Sequence, residues 1–534
     1  MSGFAFPIES NYYLVPGMPT PNGRIHLGHI AGPYLKMDVL KRKVRRNNGV
    51  AFLCSGSDVY ESYVELKAFQ LSRPPAEIAG HFHKLIIKDF EALDIDFDLY
   101  INPLEDDLSA AYSEFTRSLL QALVDRGLTV ERDESIPYDE VKKAYLTGCW
   151  IKGICPQCNT KTGSYLCEKC GSHYRPMDIF DQKDYPDAKL IDIKVLYLKV
   201  DKDTILTRVA RVQDGMFKEI LEKYFERQGP FIRLTTLQQT GVPFSWNNTT
   251  DQVIFTYTSL LFFAIFCGGL LQDKYSLETN PMAANSNFVS CVSFGFDNIV
   301  PSLAGFYGTG ALLPGYKPFD YYFPNFFYSL NGEKFSTSRA HLISGEDIVE
   351  RSKIPSDAIR YFLCKVNPEM GPENLDTDRF IGMINHELYT QANAAIRTAF
   401  DLLMPDRVPE PDECLLSQME SIIKEQDDGA SPDRFKCSSI VKPIDEWICQ
   451  FEQYDADQRS RYSYWWLKAL AYLSYPIMPR FATSLWRNLT GSNVISSNAF
   501  FESGNMISKN LDQILFREIS YEDLNKSLPV KTDV

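Results

Sequence analysis

The sequence predicts an α/β protein whose sheet-forming part is split by a cysteine-bearing insertion and followed by a C-terminal α-helical bundle. Three observations predict it. A short apolar run, Tyr12 to Val15, leads through a Pro/Gly loop into a helical pattern from Ile30 to Arg42. Strand and helix signals then alternate, break up between about Val130 and Thr235, and resume from Thr236. From Glu346 onward the apolar residues recur at helical spacing. A chain of 534 residues is also too long for one core. The reading is two α/β halves at 1–125 and 236–345, an insertion at 126–235, a linker at 346–380 and a helical domain at 381–534.

The first element organises the rest. Pro19, Pro21, Asn22 and Gly23 form a stiff loop, and His26-Leu27-Gly28-His29 follow at the start of the helix. Free backbone N–H groups and the positive end of a helix favour phosphate oxygens. His26 and His29 can donate to those oxygens, and Gly28, lacking a Cβ, lets a flat base lie on the backbone. Gly49 to Cys54 reads as a buried strand ending in the polar turn Ser55–Asp58, the kind of strand end where open α/β sheets bind ligands. Ala76–Leu93 and residues 107–126 read as helices. The insertion carries short strands and a helix at Asp203–Gln228.

Val253 to Leu271 is a run of 19 residues without a charge. A membrane span is one reading. A helix sandwiched between a sheet and a second layer, apolar all round, is the reading that its Thr, Ser, Tyr and Gly residues favour. Phe288–Phe294 is a strand that ends at Gly295 and Asp297. A strand, a turn at Asn331-Gly332 and a polar loop fill 322–345. Helices are expected at Pro355–Lys365, Thr377–Leu403, Glu413–Lys424, Lys442–Phe451 and Arg459–Leu489. A loop is expected at Gln426–Lys436, and a frayed tail after Pro529.

The formal net charge is −14, which removes any bulk electrostatic argument for nucleic acid. The N-terminus has no basic stretch followed by an apolar one, so a cytoplasmic protein without a membrane anchor is expected. Of twelve cysteines, eight are scattered, which suits a reducing compartment. The other four form two CxxC knuckles, Cys155/Cys158 and Cys167/Cys170, with eight residues between them. Two thiolate pairs at that spacing complete a tetrahedron around structural Zn2+. A redox pair is the alternative.

Lys334-Phe335-Ser336-Thr337-Ser338-Arg339 puts cations and hydroxyls in a loop able to fold over a triphosphate. With His26–His29 at the start and the knuckles between, the chain resembles the class I aminoacyl-tRNA synthetases, and among them methionyl-tRNA synthetase, over about residues 10 to 400. The resemblance implies a Rossmann-like (HUP) nucleotide-binding catalytic domain acting on ATP with Mg2+ and an amino acid. His26, Gly28 and His29 fall on the family's HIGH signature; Lys334, Ser336 and Ser338 fall on its KMSKS loop. Gly295 and Asp297 match the family's glycine and ribose-binding aspartate. Asp58 matches the residue that holds the substrate ammonium. The implied reaction is attack of the amino-acid carboxylate on the α-phosphorus, giving an aminoacyl-adenylate and pyrophosphate. His26, His29, Lys334 and position 337 would stabilise the phosphate charge.

The chain also departs from that pattern. Thr337 replaces the second lysine of KMSKS and Phe335 its methionine. Ser57-Asp58-Val59-Tyr60-Glu61 stands where the family writes TDEHG. Thr20 replaces a tyrosine, with Met18 two positions before it; Phe255 replaces a tryptophan, Ser302 a histidine, and Phe296 a lysine. Extra hydroxyls at such positions suit a polar amino acid rather than methionine. From Ile381 to Val534 there are 15 Lys and Arg against 22 Asp and Glu, whereas a module gripping a tRNA stem should present cations. Asn393 and Arg397 match an NxxxR spacing that reads anticodon bases in the family; a polar helix face is the alternative. Tyr462, Tyr464, Trp465, Trp466 and Tyr472 are core or base-stacking residues. The expected function is amino-acid activation with acyl transfer to a small amine or hydroxyl, as in natural-product pathways, with a separate cupin partner implied. A divergent methionine–tRNA ligase and a catalytically inactive pseudo-synthetase are the alternatives.

Overall fold

The computed structural model describes residues 10–163, 165–209, 215–247, 249–335, 341–403, 408–502 and 511–528. Five strands form one parallel sheet: β1 (Asn11–Pro16), β2 (Ala51–Gly56), β3 (Leu99–Ile101), β4 (Phe288–Gly295) and β5 (Tyr321–Asn325). Their order is β5-β4-β1-β2-β3, parallel at every pairing. Both faces are covered, so β2 is buried at all six positions and reads as an apolar run rather than an alternation. β1 and β4 pair from Asn11↔Phe288 to Pro16↔Ser293. The strand order reverses between them, and at that switch point an open parallel sheet leaves a crevice beyond its carboxyl ends.

The helix after β1 starts at Leu27, earlier than the apolar pattern implies, because His26 itself caps it. One turn leads into a π segment, Ile30–Tyr34, that contains Pro33, and then into α1 (Leu35–Arg46). Proline lacks the N–H that an α-turn needs, and the wider turn accommodates it. α2 (Pro75–Ala92) and α3 (Asp106–Asp125) follow the expected spans. The uncharged run becomes α4 (Thr256–Tyr275). Tyr112 of α3 meets Phe266 of α4 edge-on at 5.3 Å, and Tyr13 of β1 donates its hydroxyl to the Ala264 carbonyl at 2.7 Å. α4 is therefore the sandwiched helix, and among the described residues no helix is long and apolar enough to cross a membrane.

The insertion is built on two long antiparallel strands, Thr129–Asp139 and Ala188–Lys199. Between them the chain carries the hairpin Lys152–Ile154/Lys161–Gly163 and the cysteine knuckles. The helix expected over Asp203–Gln228 is instead two, Lys202–Val209 and Met216–Gln228.

The C-terminal region is helical as expected, apart from the short strand Glu373–Leu375 paired with Tyr328–Leu330 and two changes of helix bounds with a physical cause. Arg459–Leu489 is two helices, Ala456–Ser474 and Pro479–Thr490, parted by a segment with Pro476. The helix from Glu413 runs to Gly429 through part of the expected loop. It does so because Gln426 and Asp427 are buried on Arg46, at 2.6 and 3.1 Å. Trp447 and Trp466 each donate the indole N–H to the other's carbonyl, at 3.0 and 2.9 Å. Tyr462, Tyr464, Trp465, Trp466 and Tyr472 are all buried, so this cluster is core. The expected frayed tail lies outside the described residues.

Candidate active site

Beyond the carboxyl ends of β1, β2, β4 and β5 lies a cavity of about 380 Å³. Gly17, Met18 and Thr20 enter it from the loop after β1, Asp58 and Glu61 from the loop after β2, Gly295 and Asp297 from β4, and Asn325 from β5. The insertion supplies Tyr165, Glu168 and His173, and the strand pair after β5 supplies Lys334 and Phe335. One cavity thus gathers Met18, Thr20, His26, Gly28, His29, Asp58, Gly295, Asp297, Ser302, Lys334 and Phe335. Ser336, Thr337 and Ser338 lie outside the described residues.

Two expectations fare differently. Phe255 does not line the cavity; it is buried one layer back, edge-on to Tyr165 at 4.7 Å and beside Tyr257 at 4.5 Å. Asn393 is buried, and its amide clasps the Phe516 backbone, donating at 2.7 Å and accepting at 3.0 Å. Of the NxxxR pair only Arg397 is exposed, so Asn393 offers no open amide to a base.

At one end of the cavity the side chains support one another. His26 Nδ1 accepts from the His29 backbone N–H at 3.3 Å, and His29 Nδ1 accepts from the His26 N–H at 3.4 Å. The rings stack with centroids 3.7 Å apart. Desolvation in the cleft, then His29 and Lys334, hold the His26 imidazole well below its ordinary value. Desolvation and Lys334 lower His29 to about 4. Both rings are therefore neutral at pH 7, and with Nδ1 accepting, each carries its proton on Nε2. Phe335 stacks on His26 at 4.5 Å and covers Gly28, where an added Cβ would meet its ring at 3.1 Å. In this conformation an aromatic side chain, not a base, lies over Gly28. Lys334 is paired with Glu168, a residue inside the second knuckle.

Asp297 depends on its neighbours in the same way. A Cβ at Gly295 would lie 2.6 Å from Asp297 Oδ1, and the Asn298 amide donates to that oxygen at 3.1 Å. His173 Nε2 lies 2.9 Å from the Asp297 carbonyl, which can only accept, so Nε2 carries the proton and Nδ1 accepts from the Tyr257 hydroxyl. Burial lowers His173 to about 4, consistent with a neutral ring. Sequence reading missed His173, Glu168 and Tyr165, although all three sit within or beside the cysteine knuckles.

The other end is unlike this. Burial pushes the Asp58 carboxyl up to about 7. Burial, then the Asp58 charge, pushes Glu61 up to about 8. Glu61 caps the helix Ser62–Leu71, accepting from Ser62 N–H at 2.8 Å. Neither carboxyl is in an ion pair among the described residues. The Ser302 hydroxyl, fully buried on the wall, has no hydrogen-bond partner.

The ligand atoms of Cys155, Cys158, Cys167 and Cys170 all lie within 4.8 Å of one another, with Cys155–Cys170 Sγ atoms 3.7 Å apart and Cys158–Cys167 3.6 Å. A tetrahedron with Zn–S arms of ~2.3 Å has sulfur–sulfur edges of about 3.8 Å, so the four thiols fit Zn2+ with no open position.

The family model described as tRNA synthetases class I (M) matches residues 12–249 and 306–399. The methionine–tRNA ligase of Porphyromonas gingivalis is 27% identical over 396 residues, covering 70% of this chain and 55% of that one. The one from Nanoarchaeum equitans is 34% identical over 211 residues, 39% of this chain and 25% of that one. The chain spans about half the length of the first of these relatives. The fold is like that of Mycobacterium tuberculosis methionyl-tRNA synthetase in complex with methionyl-adenylate, with a TM-score of 0.70 at 15% identity, covering 93% and 98% of the two chains. With its parallel sheet, its four-cysteine insertion and a family match over more than half its length, the chain belongs to the methionyl group of the class I tRNA synthetases.

Proposed function

We propose that the protein activates an amino acid with ATP, forming an aminoacyl-adenylate and pyrophosphate. One observation carries this reading: a single cavity at the switch point of the sheet holds a His-capped helix start, Asp297 and the unpaired carboxyl of Asp58. The Nε2–H groups of His26 and His29, and Lys334, donate to the phosphates of ATP arriving with Mg2+. Asp297 takes the ribose hydroxyls, and Asp58 takes the α-ammonium. These groups position the carboxylate against the α-phosphorus and stabilise charge on the leaving pyrophosphate; no covalent enzyme intermediate is needed. Structural Zn2+ on the four cysteines holds the wall that carries Tyr165, Glu168 and His173.

For the acyl acceptor, the curated relatives are named methionine–tRNA ligases. That supports tRNA ahead of the small amine or hydroxyl. The small acceptor retains one observation in its favour, the acidic helical region with Asn393 engaged internally. ATP–pyrophosphate exchange across a panel of amino acids tests activation: robust exchange with at least one is expected, and silence across the panel would leave the pseudo-synthetase. Charging of tRNA with the amino acid that exchanges then separates the two acceptors.

A further inference from the structure

Asp58 and Glu61 lie on one tight turn, with Glu61 N–H donating to the Asp58 carbonyl at 3.4 Å. Both line the same cavity, and neither is in an ion pair among the described residues. An α-amino acid brings one ammonium, which one carboxylate serves. The second carboxyl is left without a counter-charge in a desolvated site, where it keeps its proton unless a cation of the ligand pairs with it. A divalent metal is a poor fit. Among the described residues the four cysteines are the only group of three or more metal-type side chains within ligand range. The Ser302 hydroxyl, buried in the lining of the same cavity without a partner, independently marks a place for a polar ligand atom. Thr20 and Ser259 add further hydroxyls to the lining of the cavity.

We infer that the amino acid bound here carries a second ammonium on its side chain, with Asp58 holding the α-ammonium, Glu61 the side-chain ammonium and Ser302 accepting one of its protons. A diamino acid of the lysine or ornithine type has this chemistry. A thioether or alkyl side chain of the same length leaves Glu61 unpaired. The inference rests on the amino-acid-activation reading for the use of the site, but its binding component stands separately.

The test uses isosteric pairs, lysine with norleucine and ornithine with norvaline, and methionine beside them. Calorimetric binding and pyrophosphate exchange are measured on the full chain and on its Glu61→Gln and Asp58→Asn variants. At least one diamino acid should bind about a hundredfold more tightly than its isostere, the scale of a close charge pair in a desolvated site. Glu61→Gln should erase most of that difference; as a neutral isostere it keeps the helix cap. Asp58→Asn should weaken the charged and neutral members of each pair alike. Equal binding within both pairs, tighter binding of methionine, or a preference that survives Glu61→Gln would overturn the inference. Silent exchange with a Glu61-dependent preference for the diamino acid in binding would sink the activation reading and leave this one standing.

Discussion

The two ends of the cleft differ in how their polar groups are satisfied. At the end we assign to the nucleotide, His26 and His29 cap one another's backbone, Asn298 donates to Asp297, and Lys334 already has a partner in Glu168. At the end we assign to the amino acid, Asp58 and Glu61 line the cavity without an ion-pair partner among the described residues, Glu61 accepting only from Ser62 at its own helix start, and the Ser302 hydroxyl has no hydrogen-bond partner. The histidines and Asp297 of the first end are organised before any ligand arrives, as electrostatic stabilisation of a transition state requires. The second is incomplete until a ligand supplies donors. On the proposed assignment of the two ends, the difference puts the reaction in groups that hold each other, and substrate choice in carboxyls that no cation yet pairs.

The largest effect that could break this division is on the histidines. His29→Ala removes an Nε2–H donor and also the acceptor that steadies His26. Adenylate formation should slow by about 10² to 10³-fold, the scale for losing one preorganised donor, while KM for the amino acid stays within about threefold. Pyrophosphate exchange at varied amino-acid and ATP concentrations reads both. A matching rise in the amino-acid KM would show that the two ends are not separable.

Much of this was legible in the sequence, and the parts that were not share a cause. Local patterns marked His26-Leu27-Gly28-His29, the turn at Asp58 and the cysteine cluster, and the family resemblance marked Gly295 and Asp297, because all of these sit in short contiguous motifs. Arg459–Leu489 reads as one helix because its apolar spacing continues through Pro476, where the structure parts it into two. The span of Glu413–Gly429 depended on burial of Gln426 and Asp427 against Arg46, some 380 positions away, and no local pattern encodes that. Asn393 carried the right spacing for base recognition but the wrong surroundings, since the Phe516 backbone lies more than 120 positions on. His173 and Tyr165 were hidden by the cysteines beside them, which account for that stretch without calling for a role in the cleft.

The amino-acid end makes a prediction of its own in pH. Asp58 and Glu61 are raised to about 7 and 8 in the folded protein, against about 4 in an unfolded chain. Between about pH 4 and 8 the folded state therefore binds protons that the unfolded state has released, and stability falls as pH rises across that window. In thermal melts of ligand-free protein, wild type should lose stability relative to Glu61→Gln as pH rises from 5 to 8. A saturating diamino acid should remove that slope, because its ammonium favours the ionised carboxylate. A wild-type slope that matches the variant's would mean Glu61 is hydrated and already ionised, and would erase the contrast between the two ends.

The smallest effect concerns the contact that joins the zinc knuckle to the nucleotide end. Lys334 and Glu168 are paired but 53% and 56% exposed, and exposed pairs contribute only ~0 to 1 kcal/mol. ATP must draw Lys334 toward its phosphates, so the pair opposes nucleotide binding by no more than that amount. Glu168→Gln should therefore lower KM for ATP by less than about fivefold, with kcat unchanged and with the effect fading as salt screens the pair. Lys334→Ala should instead lower kcat, since it removes a donor that acts on the leaving pyrophosphate. A large gain in kcat from Glu168→Gln would reveal the knuckle as a brake on the loop. A null result for Lys334→Ala would move the leaving-group charge onto the histidines alone, making the nucleotide end still more self-contained than its hydrogen bonds imply.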